Sequence, residues 1–222
     1  MSTGVVTVSG RSEYTLETAH GALHGSLLLP GDLRAIVIQT HAGPVRQTND
    51  DALTTLLQHA HIGILSFDLL TVSERRYNDM PHNVVLLAQR LLDVLMMLKQ
   101  QMLRGDLPER PIAFCAVGDC SPAAVRVAAL RDHGIFALVC RGGLIDLAGM
   151  LYLRSLTSPL LLLVDADDQR ILHSNHRALQ VLSCPYSCHA IPVGESPQEA
   201  TASSFVARET VQWLVKHLPK TS

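Results

Sequence analysis

Ile112-Ala113-Phe114-Cys115-Ala116-Val117-Gly118-Asp119-Cys120-Ser121-Pro122-Ala123-Ala124 is the segment on which the fold turns. Its first six residues are apolar and follow Pro111, the pattern of a buried strand. Gly118 punctuates the run, and the small residues after it, through position 131, have the composition of a closely packed helix. A strand that reverses this tightly into a helix lifts the side chain at the bend out of the sheet. With Gly118 as the leading small residue, the frame Gly118-x-Cys120-x-Pro122 puts Cys120 at the bend, a variant of the G-x-S-x-G turn that displays a nucleophile. A thiol at a helix start meets the positive end of the helix dipole, which favours thiolate, while Asp119 opposes it. The same residues allow two other readings: Ser121 as nucleophile in the frame Asp119-x-Ser121-x-Ala123, and Cys120 as an inert buried thiol.

Outward from this segment, strand-like and helix-like stretches alternate. Residues 5–29 carry short β-prone runs around Gly21 and Gly25, as an antiparallel hairpin or edge strand would. Residues 35–40 read as a buried strand that ends in the loop His41-Ala42-Gly43-Pro44. A helix capped by Asn49 or Asp50 follows, then a strand over 62–67 closed by Asp68. Residues 71–81 form a polar loop over the top of the sheet, and the spacing of Val84, Leu87, Leu91, Leu95 and Leu98 predicts a long helix over 83–102. The polar side of that helix is thin, with Gln89, Arg90 and Asp93 nearly the only interruptions. Beyond the central segment come strands at 136–140, 160–164 and 187–191, with helices at 171–182 and 199–217. The order predicts an α/β protein: a mostly parallel, doubly wound sheet with helices on both faces and an N-terminal antiparallel hairpin.

A chain of 222 residues, 47% hydrophobic and 17% charged, suits one α/β domain spanning 1–222 better than two halves with separate cores. The formal charge of -2 and pI near 6.6 give no electrostatic footprint for nucleic acid or an anionic membrane. No apolar run approaches the ~18 residues of a membrane span, and the start has no basic region followed by an apolar one. A cytoplasmic protein is the expectation. Five cysteines argue against a disulfide framework, and Cys184-x-x-x-Cys188 with His189 lacks the second pair a structural zinc site needs. No cofactor is expected. The expected partner is a small-molecule substrate or ligand, with no nucleic acid and no membrane, and an apolar edge or helix could support a homodimer.

In the order of its motifs the chain resembles the dienelactone-hydrolase-like branch of the α/β-hydrolase superfamily. The shared features run from the strand and loop at 36–43, through Phe67-Asp68-Leu69-Leu70 and the central turn, to Val139-Cys140-Arg141-Gly142-Gly143-Leu144-Ile145-Asp146-Leu147-Ala148 and the stretch 161–168. The resemblance implies the α/β-hydrolase fold, and hydrolysis of a small ester, lactone or thioester through a cysteine nucleophile at Cys120. It further implies that Asp168, beside Asp165 and Asp167, orients the histidine of a triad. The other reading of these carboxylates is that they cap the helix beginning near Ile171. The oxyanion hole would come from the backbone N–H of Ser121 and one from the loop of Ala42 and Gly43, since Pro44 has none to give.

The place of the histidine is taken by Ser196, in Pro192-Val193-Gly194-Glu195-Ser196-Pro197-Gln198. A serine accepts no proton near neutral pH, so the relay is broken there. Among the eleven histidines, His41 is the candidate substitute because its loop should border the turn. Two functions follow from this degenerate triad: a weak or inactive hydrolase, and a non-catalytic small-molecule-binding or redox-sensing protein on the same fold.

Overall fold

The computed structural model describes residues 4–8, 11–19, 21–43, 50–77, 79–130, 134–192 and 199–220. Its strands are β1 (Gly4–Val8), β2 (Arg11–Thr18), β3 (Gly21–Leu28), β4 (Ala35–His41), β5 (Ile62–Asp68), β6 (Ile112–Val117), β7 (Ile135–Arg141), β8 (Leu160–Asp165) and β9 (Tyr186–Ile191). Its helices are α1 (Asp50–His59), α2 (Val84–Arg104), α3 (Cys120–Ala128), α4 (Met150–Ser155), α5 (Gln169–Leu179) and α6 (Glu199–His217). The strands lie in one sheet in the order β1-β2-β3-β5-β4-β6-β7-β8-β9.

From β5 to β9 neighbouring strands are parallel, whereas β1, β2 and β3 are antiparallel to one another and β3 is antiparallel to β5. The N-terminal element is therefore a three-stranded meander, one strand more than a hairpin. β8 shows why the parallel part is buried on both sides. Leu160 and Leu162 join the core that also holds α2 and α3 residues such as Leu91, Leu95 and Ala124. Leu161 and Leu163 join a second core with Leu57 of α1 and Val206, Trp213 and Leu214 of α6. A strand covered on both faces has no polar alternation to show.

α2 begins where Asn83 accepts a hydrogen bond from the Leu86 N–H (3.1 Å) and ends at Gly105, whose φ of 79° suits a left-handed cap. One apparent interruption of its apolar face proves to be an internal anchor: Arg90 is 0% exposed. Its guanidinium grips both carboxylate oxygens of Glu74, at 2.7 and 2.8 Å, and also donates to the Leu69 carbonyl at 2.8 Å. Glu74 in turn accepts from the N–H and hydroxyl of Thr71, at 2.9 and 2.8 Å. The loop after β5 is thus tied down rather than irregular, and it contains 3-10 turns at Glu74–Arg76 and Met80–His82. Among the described residues no helix is long and apolar enough to cross a membrane.

Candidate functional site at the carboxyl ends of the strands

Parallel strands β4, β5 and β6 deliver their last residues to one end of the sheet, where α/β proteins collect ligands. The bend between β6 and α3 lies there, and its conformation fixes which side chain it displays. Gly118 takes φ 57°, while Asp119 is already at φ -64° and ψ -13° and α3 begins at Cys120. In a strand-to-helix elbow the displayed residue is the one that takes the strained turn conformation. That residue is Gly118, and the small-x-apex-x-small frame is Ala116-Val117-Gly118-Asp119-Cys120. The frame centred on Cys120 is shifted by two positions from the bend in the structure.

The consequence for Cys120 is burial. Its side chain is 0% exposed, and it packs with Phe114, Ala123 and Ala124. Loss of water around the sulfur pushes the thiol pKa well up; the Thr40 hydroxyl facing it works the other way, and the charges of Asp68 and Asp119 add to the rise. A thiol so placed stays protonated and unexposed, so the expectation of an open thiolate at the helix start is corrected: burial outweighs the helix dipole. Ser121 is likewise fully buried. Its N–H is spent on the Gly118 carbonyl at 2.9 Å, and its hydroxyl on the Gly142 carbonyl at 2.9 Å. It is thereby corrected both as an oxyanion donor and as an alternative nucleophile.

The bend itself has room. Among the described residues, a Cβ placed on Gly118 would have no heavy atom within 4 Å beyond its chain neighbours. Gly143 is the opposite case, because at φ 77° its Cβ would collide with the Gly118 carbonyl. The phrase Arg141-Gly142-Gly143 is therefore a turn cut to let the elbow pack, and the Gly118 N–H donates to the Arg141 carbonyl at 2.8 Å. Buried Asn175 of α5 locks the same turn, donating to the Gly143 carbonyl (3.0 Å) and accepting from the Ile145 N–H (3.0 Å). Sequence reasoning missed Asn175; an amide on the inner face of an amphipathic helix is the signal that could have found it.

Around the bend stand two histidine–carboxylate pairs. At the adjoining ends of β4 and β5, His41 faces Asp68 with Nε2 to Oδ2 at 3.9 Å. The buried Asp68 carboxylate also meets Arg75 at 2.6 Å and accepts from the N–H groups of Leu70 (2.9 Å) and Gly43 (3.2 Å). The Gly43 N–H, a candidate oxyanion donor, is thus already engaged; its neighbour Ala42 is half-buried at the same strand end. Beside the bend, His82 Nδ1 lies 3.2 Å from Asp119 Oδ1, with both side chains reaching solvent.

Asp168 stands at the start of α5, where its carboxylate accepts from the Ile171 N–H at 3.0 Å, the geometry of a helix cap. Among the described residues no hydrogen bond joins a histidine to it. His189 of β9 is taken up by Glu209 of α6 at 2.8 Å. Ser196 lies outside the described residues, as do Pro44 and Asn49. Among the described residues no group of three or more His, Cys, Asp or Glu is arranged to hold a metal ion.

Comparison with known proteins bears on the fold. No family model matches the chain. It is 33% identical over 199 residues to a Mycobacterium tuberculosis protein known as "Putative phosphoribosyl transferase", in each of two strains. That match takes in 87% of this chain and 44% of the relative, so the chain spans less than half the length of the curated relatives it matches. Among solved structures, a dienelactone hydrolase from Anabaena variabilis superposes with a TM-score of 0.79 at 26% identity, over 95% of this chain and all of that one. A cold-adapted esterase from an Arctic intertidal metagenomic library gives 0.73 at 16% identity, over 99% and 100%. Est1E from Butyrivibrio proteoclasticus gives 0.67 at 11%, over 96% and 99%. The chain has the α/β-hydrolase fold, in the form seen in dienelactone hydrolases.

Proposed function

We propose that this chain is a small-molecule-binding domain that keeps the hydrolase cleft and forms no acyl-enzyme. The observation that carries the reading is the glycine at the displayed position: Gly118 bends the chain as an elbow does, yet has no atom with which to attack a carbonyl. The buried Cys120 supplies no replacement, because an acyl group on its sulfur would have to occupy the packed interior beneath α3. Turnover through Cys120, with Asp168 and His41 as partners, is the less supported alternative.

The reading extends to the surroundings of the domain. The transfer activity in the name of the mycobacterial relatives belongs, on this proposal, to the part of those proteins that this chain does not span. The ligand is a small molecule rather than a nucleic acid or a membrane. A cytoplasmic site of action is in keeping with five free cysteines, four of them buried.

The test is native-state chemistry at Cys120. Iodoacetamide at pH 8 followed by peptide mass spectrometry should label exposed Cys188 and leave Cys120 unmodified until the protein is unfolded. Incubation with p-nitrophenyl acetate should give no burst and no acyl adduct on residue 120. An acetylated Cys120 peptide, absent from the Cys120→Ser variant, would overturn the proposal.

A further inference from the structure

We infer that a cavity at the amino end of β6 is a second binding site, for a small monocarboxylate with an apolar body. The site is independent of the reading of Cys120, since the length of β6, about 20 Å, separates it from the bend at Gly118. The cavity lies between the last turns of α2 and the approach to β6, and its volume of about 330 Å³ is at the small end of the range for ligand pockets. Among the described residues, Met102, Leu103, Pro111 and Ile112 give it an apolar lining. Its charged lining is Lys99 and Arg110 against Glu109, one positive charge in balance, in a chain whose formal charge is -2.

Two observations point to the two parts of the ligand. Arg110 is held in place by neutral groups: its Nε donates to the Leu33 carbonyl at 2.6 Å and its Nη1 to the Glu109 carbonyl at 2.8 Å. Among the described residues no carboxylate pairs with this guanidinium. A fork fixed in this way offers its remaining N–H groups to an anion with little further loss of side-chain freedom. Leu103 is the second observation. At 87% exposed it is the most exposed large apolar side chain among the described residues, and it lines the same cavity as Ile112, which is 4% exposed. An apolar body seated against Ile112 would take Leu103 out of water, and a single carboxylate would neutralise the charge of the lining. A cationic ligand would leave Arg110 uncompensated.

Hydrocinnamate and neutral hydrocinnamyl alcohol share an apolar body and differ in the carboxylate, so together they probe both parts of the site. In amide chemical-shift mapping the acid should move the signals of Met102, Leu103 and Ile112 with a Kd of about 1 mM or tighter, the reach of a ligand with about eleven heavy atoms. The alcohol should bind about 10-fold more weakly, the worth of a charge-assisted hydrogen bond. Arg110 and Leu103 are exposed, so Arg110→Gln and Leu103→Ser should stay folded, which an unchanged melting temperature verifies. Arg110→Gln should bring the acid down to the affinity of the alcohol and leave the alcohol as it was. Leu103→Ser should weaken the acid about 5-fold through lost apolar contact. Equal affinity of the wild type for acid and alcohol overturns the inference without reference to any variant. So does acid binding by Arg110→Gln at wild-type strength, a set of shifts confined to the carboxyl ends of the strands, or no shift at ten times the expected Kd.

Discussion

Replacing Glu74 with glutamine tests the physical account of the loop over the site. Hydrogen bonding from the Arg90 guanidinium, aided by the Thr71 N–H and hydroxyl and against the cost of burial, lowers the Glu74 carboxyl from 4.5 to about 2. A depression of that size is about 3 kcal/mol of stability at neutral pH. Because the folded-state pKa is the lower one, the contribution is complete above about 4.5 and is lost as pH falls toward about 2. Glu74→Gln keeps the side-chain shape but leaves the fully buried Arg90 charge without its counter-ion, a loss of about 3–5 kcal/mol when one partner of a buried pair is removed. In a chain of this length each kcal/mol moves the melting temperature by about 2–4 °C, so a fall of roughly 6–20 °C at pH 7 is expected. Urea unfolding at a series of pH values is the assay. The gap between wild type and variant should be full at pH 6 to 7 and close steadily below pH 4.5. A double change, Glu74→Gln with Arg90→Met, should recover much of the loss, since an apolar side chain needs no counter-ion. A gap under about 1 kcal/mol at pH 7, or one that stays constant down to pH 2.5, would refute the argument.

Three further substitutions separate the roles assigned to individual residues. Gly118→Ala should cost only the strain of its positive φ, about 1–2 kcal/mol, since the added methyl meets none of the described residues within 4 Å; a loss above 4 kcal/mol by chemical denaturation would show the bend to be crowded. Gly143→Ala should be far worse, and soluble yield should collapse, because its Cβ meets the Gly118 carbonyl; a well-folded protein with an unchanged melting temperature would contradict that contact. Asp168→Ala should lose about 1 kcal/mol through the cap of α5, read as a drop of a few degrees in melting temperature. If its stability is unchanged while ligand binding disappears, residue 168 serves the site rather than the helix.

What could be read from the chain itself differs from element to element for physical reasons. The five residues of β8 from Leu160 to Val164 announce a twice-covered strand, and of the predicted apolar positions of α2, Leu87, Leu91, Leu95 and Leu98 are buried while Val84 is half-buried. α6 falls on residues 199–217 as its pattern predicts. The stretch from Ile145 to Ser155 carries no signal in the sequence, because a 3-10 turn and a six-residue helix are too short to show a period. Arg90 reads from the sequence as part of a polar face, because a sequence shows its charge but not Glu74, sixteen positions away, folded back upon it. The bend is ambiguous in the sequence for a sharper reason. Gly118 fits two frames, as the small residue ahead of an apex and as the apex itself, and cysteine at 120 drew the reading to the first. Chain sterics choose the second, because glycine is the residue that accepts φ near 57° without cost.

An empty apex also shapes what mutation can do next. Two of the four glycine codons lie one base from codons of serine and cysteine, and among the described residues nothing stands within 4 Å of a Cβ placed at position 118. Such a change would put a hydroxyl or thiol at the bend, one residue before an aspartate paired with His82. The bend therefore leaves a short mutational route toward covalent catalysis, and a laboratory selection for ester growth substrates should find residue 118 among its first sites.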